Sequence, residues 1–129
     1  MSRGAATDTH DLARVAADAC AAKKGEDIVL FDVSELLTLT GAFVVAAGAN
    51  ARQVRTMVEE AESRLREVGI RPLATEGLDE ATWVLVDLGD IVLHVFQRET
   101  REYYGLERLW ADAPRIPWEE PRPDEAATG

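Results

Sequence analysis

The chain has 129 residues, 14 of them Lys or Arg and 24 Asp or Glu, which gives a formal net charge of −10 at pH 7. This length suits one domain with a hydrophobic core. The negative charge disfavours direct binding to nucleic-acid phosphates. It fits a basic protein partner, although an acidic surface also keeps a protein soluble without any partner.

The content of cysteine, histidine and known motifs restricts the chemistry further. The single Cys20 excludes an intramolecular disulfide and a multi-cysteine zinc site. His10 and His94 are far apart in the sequence and indicate no metal cluster. The G-x-S-x-G, H-E-x-x-H and phosphate-binding glycine motifs are missing. We therefore expect no cofactor, no metal and no enzymatic activity.

Without a signal peptide or an apolar run of membrane length, we expect a cytoplasmic protein.

The first predicted element is a helix that begins near residue 8. Apolar side chains recur at helical spacing, and Thr7 or Thr9 is the expected N-cap. Gly25 is expected to stop the helix. Cys20 lies on the apolar stripe, which favours a core position over a nucleophile.

Two strands and a second helix follow. The apolar runs 28–33 and 43–47 predict buried strands, joined by a connection with room for a helical turn. Asn50 is the expected N-cap of the second helix, and Gln53 completes a capping-box spacing. The predicted apolar stripe of this helix comprises Val54, Met57, Val58, Ala61, Leu65 and Val68.

The longest apolar run is 83–96, WVLVDLGDIVLHVF, and Gly89-Asp90 in its middle suits a tight two-residue turn. It predicts a β-hairpin of strands 83–88 and 91–96. In that register, one face is wholly apolar, with Val84 opposite Val95 and Val86 opposite Leu93. The other face carries Trp83, Leu85, Asp87, Val92, His94 and Phe96.

The remaining segments complete a single-domain plan. Residues 71–75 predict a short edge strand, and the acidic loop 76–80 leads into the hairpin. Residues 98–113 predict a helix with Thr100 as its cap and a weak point at Gly105. Residues 1–7 are expected to be flexible, and the proline- and acid-rich 114–129 to be a disordered tail.

The order of elements predicts an α/β domain over residues 8–113, with a mixed β-sheet flanked by helices. The helix between 43–47 and 71–75 allows those two strands to be a parallel pair, while the hairpin is antiparallel.

Two interpretations of the hairpin region remain open from the residues alone. Asp87 lies diagonal to His94, and such a pair serves acid–base or metal chemistry as well as a purely structural role. Trp83 follows the acidic loop with Glu76 and Glu80, which is typical of an aromatic anchor inside an acidic rim, yet such a Trp is equally often core. The predicted last helix carries residues that would either extend this patch or pack the helix on the sheet, namely Arg101, Tyr103, Tyr104 and Trp110.

The hairpin sequence WVLVDLGDIVLHVF, followed by R-E-Y-Y-x-L-E-x-L-W, closely resembles the Iojap family, the bacterial ribosomal silencing factors. Further matches are FDVSELLTLTGAFVVAAGANARQV and Pro72 with Glu76-Gly77, so the resemblance spans about residues 8–113. It implies a nucleotidyltransferase-like fold in a protein that is not known as an enzyme. It also implies binding to ribosomal protein fourteen of the large subunit, which blocks joining of the small subunit and limits translation when nutrients run short.

The resemblance also implies which residues contact the partner. The matching positions are Glu76, Trp83, Asp87, Asp90, His94, Arg101, Tyr104 and Trp110. One stretch departs from the family pattern. The family usually has Thr-Asp followed by an aromatic residue or Cys before the second strand, where this chain has Thr40-Gly41-Ala42.

Two other functions stay open as alternatives. A metal-dependent nucleotidyl or phosphoryl transferase would use Asp87, Asp90 and Asp32, although the first two straddle a turn and are poorly placed to converge on metal ions. Self-association through an apolar strand face or the last helix would give a homodimer, which is compatible with silencing.

Overall fold

The computed structural model describes residues 8–105, 108 and 110–121. Within them the chain forms three helices, α1 (Thr9–Ala22), α2 (Ala51–Glu67) and α3 (Arg98–Tyr104), and five strands, β1 (Glu26–Asp32), β2 (Ala42–Gly48), β3 (Ala74–Glu76), β4 (Trp83–Asp87) and β5 (Ile91–Gln97). The strands form one sheet in the order β1-β2-β5-β4-β3. This mixed sheet with helices confirms the predicted α/β class. None of the described helices combines the length and the apolar character needed to cross a lipid bilayer.

The hairpin has the predicted register. Val84 pairs with Val95 and Val86 with Leu93 in the antiparallel β4–β5 ladder. All four side chains are fully buried. The turn between the strands uses Gly89 at φ 88°, a left-handed conformation that glycine adopts without a steric penalty.

Helices α1 and α2 cover this apolar face of the sheet. The apolar stripe of α2 is buried as predicted, apart from Val68, which caps the C-terminus of the helix and is exposed. Helix α1 faces the core with small side chains that let its backbone lie close to its neighbours, namely Ala13, Ala16, Ala17, Ala19 and Cys20. The thiol of Cys20 is fully buried, which confirms its core position.

The parallel pair of the sheet is β2 with β5, and β3 pairs antiparallel with β4. The suggested parallel pairing of 43–47 with 71–75 is therefore wrong. All residues of β2 are buried, so this strand requires a neighbour on each side. Strand β3 has three residues, two of them exposed, and forms the sheet edge that Pro72 predicts.

The helix N-termini are capped by side chains. Asp8, rather than a threonine, caps α1, because its carboxylate accepts from the N–H of His10 at 2.9 Å. Thr9 is the first helical residue, and Thr7 lies outside the described residues. At α2 the predicted cap is confirmed, since Asn50 Oδ1 accepts from the N–H of Gln53 at 2.9 Å.

Gln53 also connects helices α1 and α2 through hydrogen bonds. Its Oε1 accepts from the N–H of Ala49 at 2.6 Å, where a capping box would use the N–H of Asn50. Its Nε2 donates to the carbonyl oxygens of Lys23 and Lys24, at 3.1 and 2.9 Å. The side chain therefore satisfies main-chain groups at the end of α1 and at the start of α2 at once.

The last helix is shorter than the predicted 98–113. Helix α3 ends at Tyr104, because Gly105 takes the left-handed conformation with φ 57° and ψ 48°. Gln97, not Thr100, is the N-cap, since β5 runs directly into the helix. Three residues of the predicted helix, Leu106, Glu107 and Leu109, lie outside the described residues.

Residues 113–121 form what we call the C-terminal strap, which crosses the β1 edge of the sheet. The N–H of Asp32 donates to the carbonyl of Pro114 at 2.8 Å, and the N–H of Ile116 donates to Leu30 at 2.9 Å. Ile116 is 4% exposed. The indole of Trp118 then donates to Asp18 of α1 at 2.9 Å. The prediction of a disordered tail is thus wrong for 114–121, where two apolar anchors hold a proline-rich stretch in place, while 122–129 lie outside the described residues.

Candidate partner-binding surface

The sheet face opposite α1 and α2 is covered on one side only. On the β1–β2 side, Trp110 and Ala113 pack with Phe31 and Phe43 in a second hydrophobic cluster. On the β4–β3 side, the side chains are half-buried or exposed. We call this part the open sheet face, and it consists of Ala74, Glu76, Trp83, Leu85, Asp87 and Val92.

Strand register determines which side chains stand together on the open sheet face. Glu76 pairs with Leu85, which pairs with His94 on β5. One step along, Asp87 lies between Ala74 and Val92. Directly paired residues point to the same side of a sheet, so the predicted mixed face of the hairpin is confirmed.

Trp83 lies between two other aromatic side chains, and the three differ in their exposure to solvent. Phe96 is fully buried, Trp83 is half-buried and Tyr104 is 53% exposed. The ring of Trp83 stacks on Phe96 with centroids 4.9 Å apart and an interplanar angle of 26°. It also contacts Tyr104, with centroids 4.9 Å apart and an angle of 49°. Trp83 therefore packs on the core and also reaches the surface, and its role as an anchor for a partner stays a prediction.

His94 is placed behind this surface rather than on it. The side chain is 5% exposed and packs edge-on against Phe43, with ring centroids 4.8 Å apart. Its Nδ1 accepts a hydrogen bond from the indole Nε1 of Trp83 at 3.2 Å. Burial lowers the pKa of His94 to about 4, so the ring is neutral at pH 7. The partner of its Nδ1 is thus Trp83 and not Asp87.

The acidic loop lies beside Trp83, as the sequence suggested. A cavity of about 450 Å³ is lined by this loop and by Trp83, and Asp79 and Glu80 contribute to its wall. Gly77 has a φ of 89°, and a Cβ there would collide with the carbonyl oxygen of Trp83. The guanidinium of Arg55 on α2 holds the loop by donating to the main-chain carbonyls of Leu78 and Asp79.

The other predicted contact residues are spread over the hairpin and its neighbours. Asp87 and Asp90 lie at the turn of the hairpin, at the opposite end of β4 from Trp83. Asp87 Oδ1 accepts from the N–H of Gly89 at 3.0 Å, so this carboxylate shapes the turn. Asp90 is exposed. A role for these two residues in binding stays a prediction.

Arg101 and Trp110 lie toward the β1–β2 side. Arg101 is 5% exposed, and its guanidinium donates to the main-chain carbonyls of Glu26 and Asp27 at the start of β1. A direct contact between this buried guanidinium and a partner would require rearrangement. Trp110 is half-buried and packs edge-on against Phe43, with centroids 5.2 Å apart.

The segment that departs from the family pattern lies next to α1 and the hairpin turn. The N–H groups of Gly41 and Ala42 both donate to the carbonyl of Asp90, at 2.8 and 3.2 Å. A Cβ at Gly41 would lie 3.0 Å from Thr9 Cγ2. Glycine at this position therefore allows a close approach of the first turn of α1.

The third acidic residue of the transferase alternative, Asp32, is engaged in a local network. Its Oδ2 lies 2.7 Å from His10 Nε2, and its Oδ1 accepts from the hydroxyl of Ser34 at 2.6 Å. Ser34 and His10 thus bind different oxygens of one carboxylate, which is unlike a nucleophile–base–acid relay. Among residues 8–105, 108 and 110–121, no group of three or more His, Cys, Asp or Glu side chains is arranged to hold a metal ion.

Sequence reasoning left three residues of the open sheet face off the list of contacts, namely the exposed Ala74 and the half-buried Leu85 and Val92. Leu85 and Val92 are half-buried apolar side chains between the acidic residues of this face. The signal for them was present, because strand alternation places both on the same side as Trp83 and Asp87. They supply the apolar part that a surface made only of charges and aromatic rings would lack.

Comparison with known proteins identifies the family. The sequence matches the family model described as "Ribosomal silencing factor during starvation" over residues 6–129. It is 44% identical over 101 residues to ribosomal silencing factor RsfS of Bacillus subtilis (strain 168), an alignment that covers 78% of this chain and 86% of the relative. It is 32% identical over 91 residues to the mouse protein named "Mitochondrial assembly of ribosomal large subunit protein 1", covering 68% of this chain and 40% of that protein.

The fold agrees with this relationship. A crystal structure of a Chromobacterium violaceum protein superposes with a TM-score of 0.78 at 33% sequence identity, covering 90% of this chain and 92% of that one. The family match extends over nearly the whole chain and includes the hairpin and helix that carried the resemblance. The chain therefore belongs to the ribosomal silencing factor family.

Proposed function

We propose that this chain represses translation by binding the large ribosomal subunit and excluding the small subunit when nutrients are short. Its docking site on the large subunit would be ribosomal protein fourteen. The family description, which refers to silencing of ribosomes during starvation, supports the regulatory role. The mouse relative's name refers to the large ribosomal subunit and supports the choice of subunit.

The observation that carries the proposal is the composition of the open sheet face. Its apolar part consists of half-buried side chains, with Leu85 between Trp83 and Asp87 on the same face of β4, and Val92 opposite Asp87 on β5. Its rim is acidic, with Glu76 exposed on β3 and the loop carboxylates beside Trp83. An apolar centre with aromatic residues inside a polar rim is the usual anatomy of a protein–protein interface.

Charge favours a ribosomal protein over ribosomal RNA as the direct contact. With a net charge of −10, the chain is repelled by the phosphates that cover much of a ribosomal subunit. The same charge steers it to a basic protein surface and accelerates encounter at low ionic strength. Occupying a surface that the small subunit needs would block subunit joining by steric exclusion alone, so the mechanism requires binding and no turnover.

The proposal is tested by co-sedimentation of the purified chain with separated large and small ribosomal subunits at low and high salt. We expect binding to the large subunit only, with an affinity that falls as salt is raised because the acidic rim contributes to association. Large subunits that lack ribosomal protein fourteen should bind far less of the chain. Equal binding to both subunits, or no binding to either, would contradict the proposal.

A further inference from the structure

His94 lies in the middle of the row that leads to the open sheet face, yet it is only 5% exposed. Phe43 packs against one edge of its ring, and Trp83 and Phe96 lie nearby with centroids 6.1 and 6.3 Å away. A partner molecule does not reach the imidazole in this arrangement. Any influence of His94 on binding must therefore pass through one of its neighbours.

The hydrogen bond to Trp83 fixes the chemical state of that contact. An indole N–H only donates, so His94 Nδ1, at 3.2 Å, must be the acceptor. The imidazole is then neutral and carries its proton on Nε2. That second nitrogen is buried and has no hydrogen-bond partner among the described residues. Burying the Nε2 proton without a partner costs free energy. We take this cost as an indication that the hydrogen bond accepted by Nδ1 from Trp83 has a role.

The other contacts of Trp83 do not provide the same constraint. Stacking on Phe96 sets the plane of the indole, and the tilted ring of Tyr104 contacts it as well, with both centroids 4.9 Å away. Stacking tolerates rotation of a ring within its own plane, whereas a hydrogen bond is directional. The bond to His94 therefore decides which edge of the indole points inward and which edge points to the surface.

We propose that His94 is a positioning residue for partner binding, which turns the N–H of Trp83 inward and presents the carbon edge of the indole to the partner. This inference rests on the proposed function, because it assigns the chemistry of the same surface. Since the only polar group of the indole is used internally, the partner group that meets Trp83 is apolar or cationic, not a hydrogen-bond acceptor.

The hydrogen bond itself is tested in the isolated protein by proton–nitrogen NMR of the indole groups. The Trp83 signal is assigned by its loss in Trp83→Phe. We expect its indole proton to exchange slowly with water in the wild type and at least about ten-fold faster in His94→Leu, which has no acceptor. The variant His94→Asn keeps an acceptor oxygen near the position of Nδ1 and should retain much of the protection. Equal exchange in all three proteins would overturn the inference.

The consequence for binding is tested with a double-mutant cycle on purified large ribosomal subunits. We expect His94→Leu to weaken binding by about five-fold or more, His94→Asn by less than about three-fold, and Trp83→Phe only mildly because it keeps an aromatic ring. In the Trp83→Phe background, His94→Leu should add less than about a two-fold loss, since the donor is already gone. If His94→Leu is too unstable to fold, His94→Phe takes its place in the cycle.

The outcomes separate this inference from the proposed function. One outcome is that the wild type binds large subunits while His94→Leu lowers the affinity by the same factor in the wild-type and Trp83→Phe backgrounds. In that case His94 acts by packing alone, and the inference fails while the proposed function stands. Equal losses in His94→Leu and His94→Asn lead to the same conclusion. If the wild type binds no large subunits, both fail, and the NMR result then still reports on the hydrogen bond.

Discussion

His10 Nε2 lies 2.7 Å from Asp32 Oδ2, and this contact joins the first turn of α1 to the end of β1. The other oxygen of Asp32 accepts from the hydroxyl and the backbone N–H of Ser34, at 2.6 and 3.0 Å. The Ser34 hydrogen bonds, together with the contact to His10, lower the pKa of Asp32 from 3.8 to about 2. The ionised carboxylate is therefore part of what holds α1 against the sheet.

We expect Asp32→Asn to lower the free energy of unfolding by about 1 kcal/mol at pH 7, a value discounted for the partial exposure of the carboxylate. A pKa that folding lowers contributes stability above its unfolded value, and this contribution disappears as pH falls through the folded value. The difference between wild type and variant should thus shrink between pH 4 and pH 2. Urea unfolding at several pH values measures it, with the exposed Asp112→Asn as control. A constant difference over that range would contradict the account.

The C-terminal strap should contribute to stability. Ile116 is 4% exposed in the core next to β1, so Ile116→Ala should cost about 2–3 kcal/mol, at the low end for such a truncation because a strap can partly collapse into the space. Urea unfolding followed by circular dichroism measures this loss. The exposed Glu120→Ala on the same strap is the matched control and should change stability by less than about 0.5 kcal/mol. Equal stability of all three proteins would mean that the strap is not anchored.

Cys20 should be inert to thiol reagents in the native protein. The side chain is fully buried, and burial raises the pKa of its thiol to about 12. Because the thiolate is the reactive species, labelling requires that the chain opens first. We expect the rate of labelling by a chromogenic disulfide at pH 8 to rise with urea in parallel with unfolding. Rapid labelling of the folded protein without denaturant would be inconsistent with this core position.

Charge reversal on the open sheet face should weaken binding in a salt-dependent manner. Glu76 is exposed on β3, and Glu59 is exposed on α2, which packs on the opposite face of the sheet. Glu76→Lys and Glu59→Lys change the net charge equally. We expect Glu76→Lys to lower the affinity for large ribosomal subunits about five-fold at low salt, mainly by slower association, and Glu59→Lys to have a much smaller effect. Equal losses in both variants would show that only net charge matters.

Sequence patterns predicted the hairpin and α2 in detail because their signals are local. Gly89-Asp90 and strict alternation set the register of the hairpin, and the apolar stripe with Asn50 set the position of α2. The partner of β2 was beyond such reasoning. Whether β2 pairs with β3 or with β5 depends on how the whole sheet assembles, and a short local sequence pattern does not specify this pairing.

The candidate surface shows a similar division. Its aromatic and acidic members were visible in the sequence, and alternation placed Trp83 and His94 on one face. Burial of His94 and Arg101 was not predictable, because it depends on Phe43 and on the start of β1, both distant in the chain. The strap was missed since its composition is typical of disorder, and its order depends on Ile116 and Trp118 meeting β1 and α1.

The central claim is that the open sheet face binds the large subunit and prevents joining, and Trp83→Ala tests it. We expect the variant to lose at least about 2 kcal/mol of binding free energy, as interface anchors do, while circular dichroism shows a folded protein. Trp118→Ala is the matched control, because it removes a half-buried Trp from the strap beside α1, on the other face of the molecule.

The most direct measurement is sedimentation of mixed large and small ribosomal subunits through a sucrose gradient with each protein present. Wild type and Trp118→Ala should both reduce the fraction of joined ribosomes, and folded Trp83→Ala should leave that fraction near its value without added protein. Unchanged joining in the presence of wild type, or equal inhibition by folded Trp83→Ala, would contradict the account.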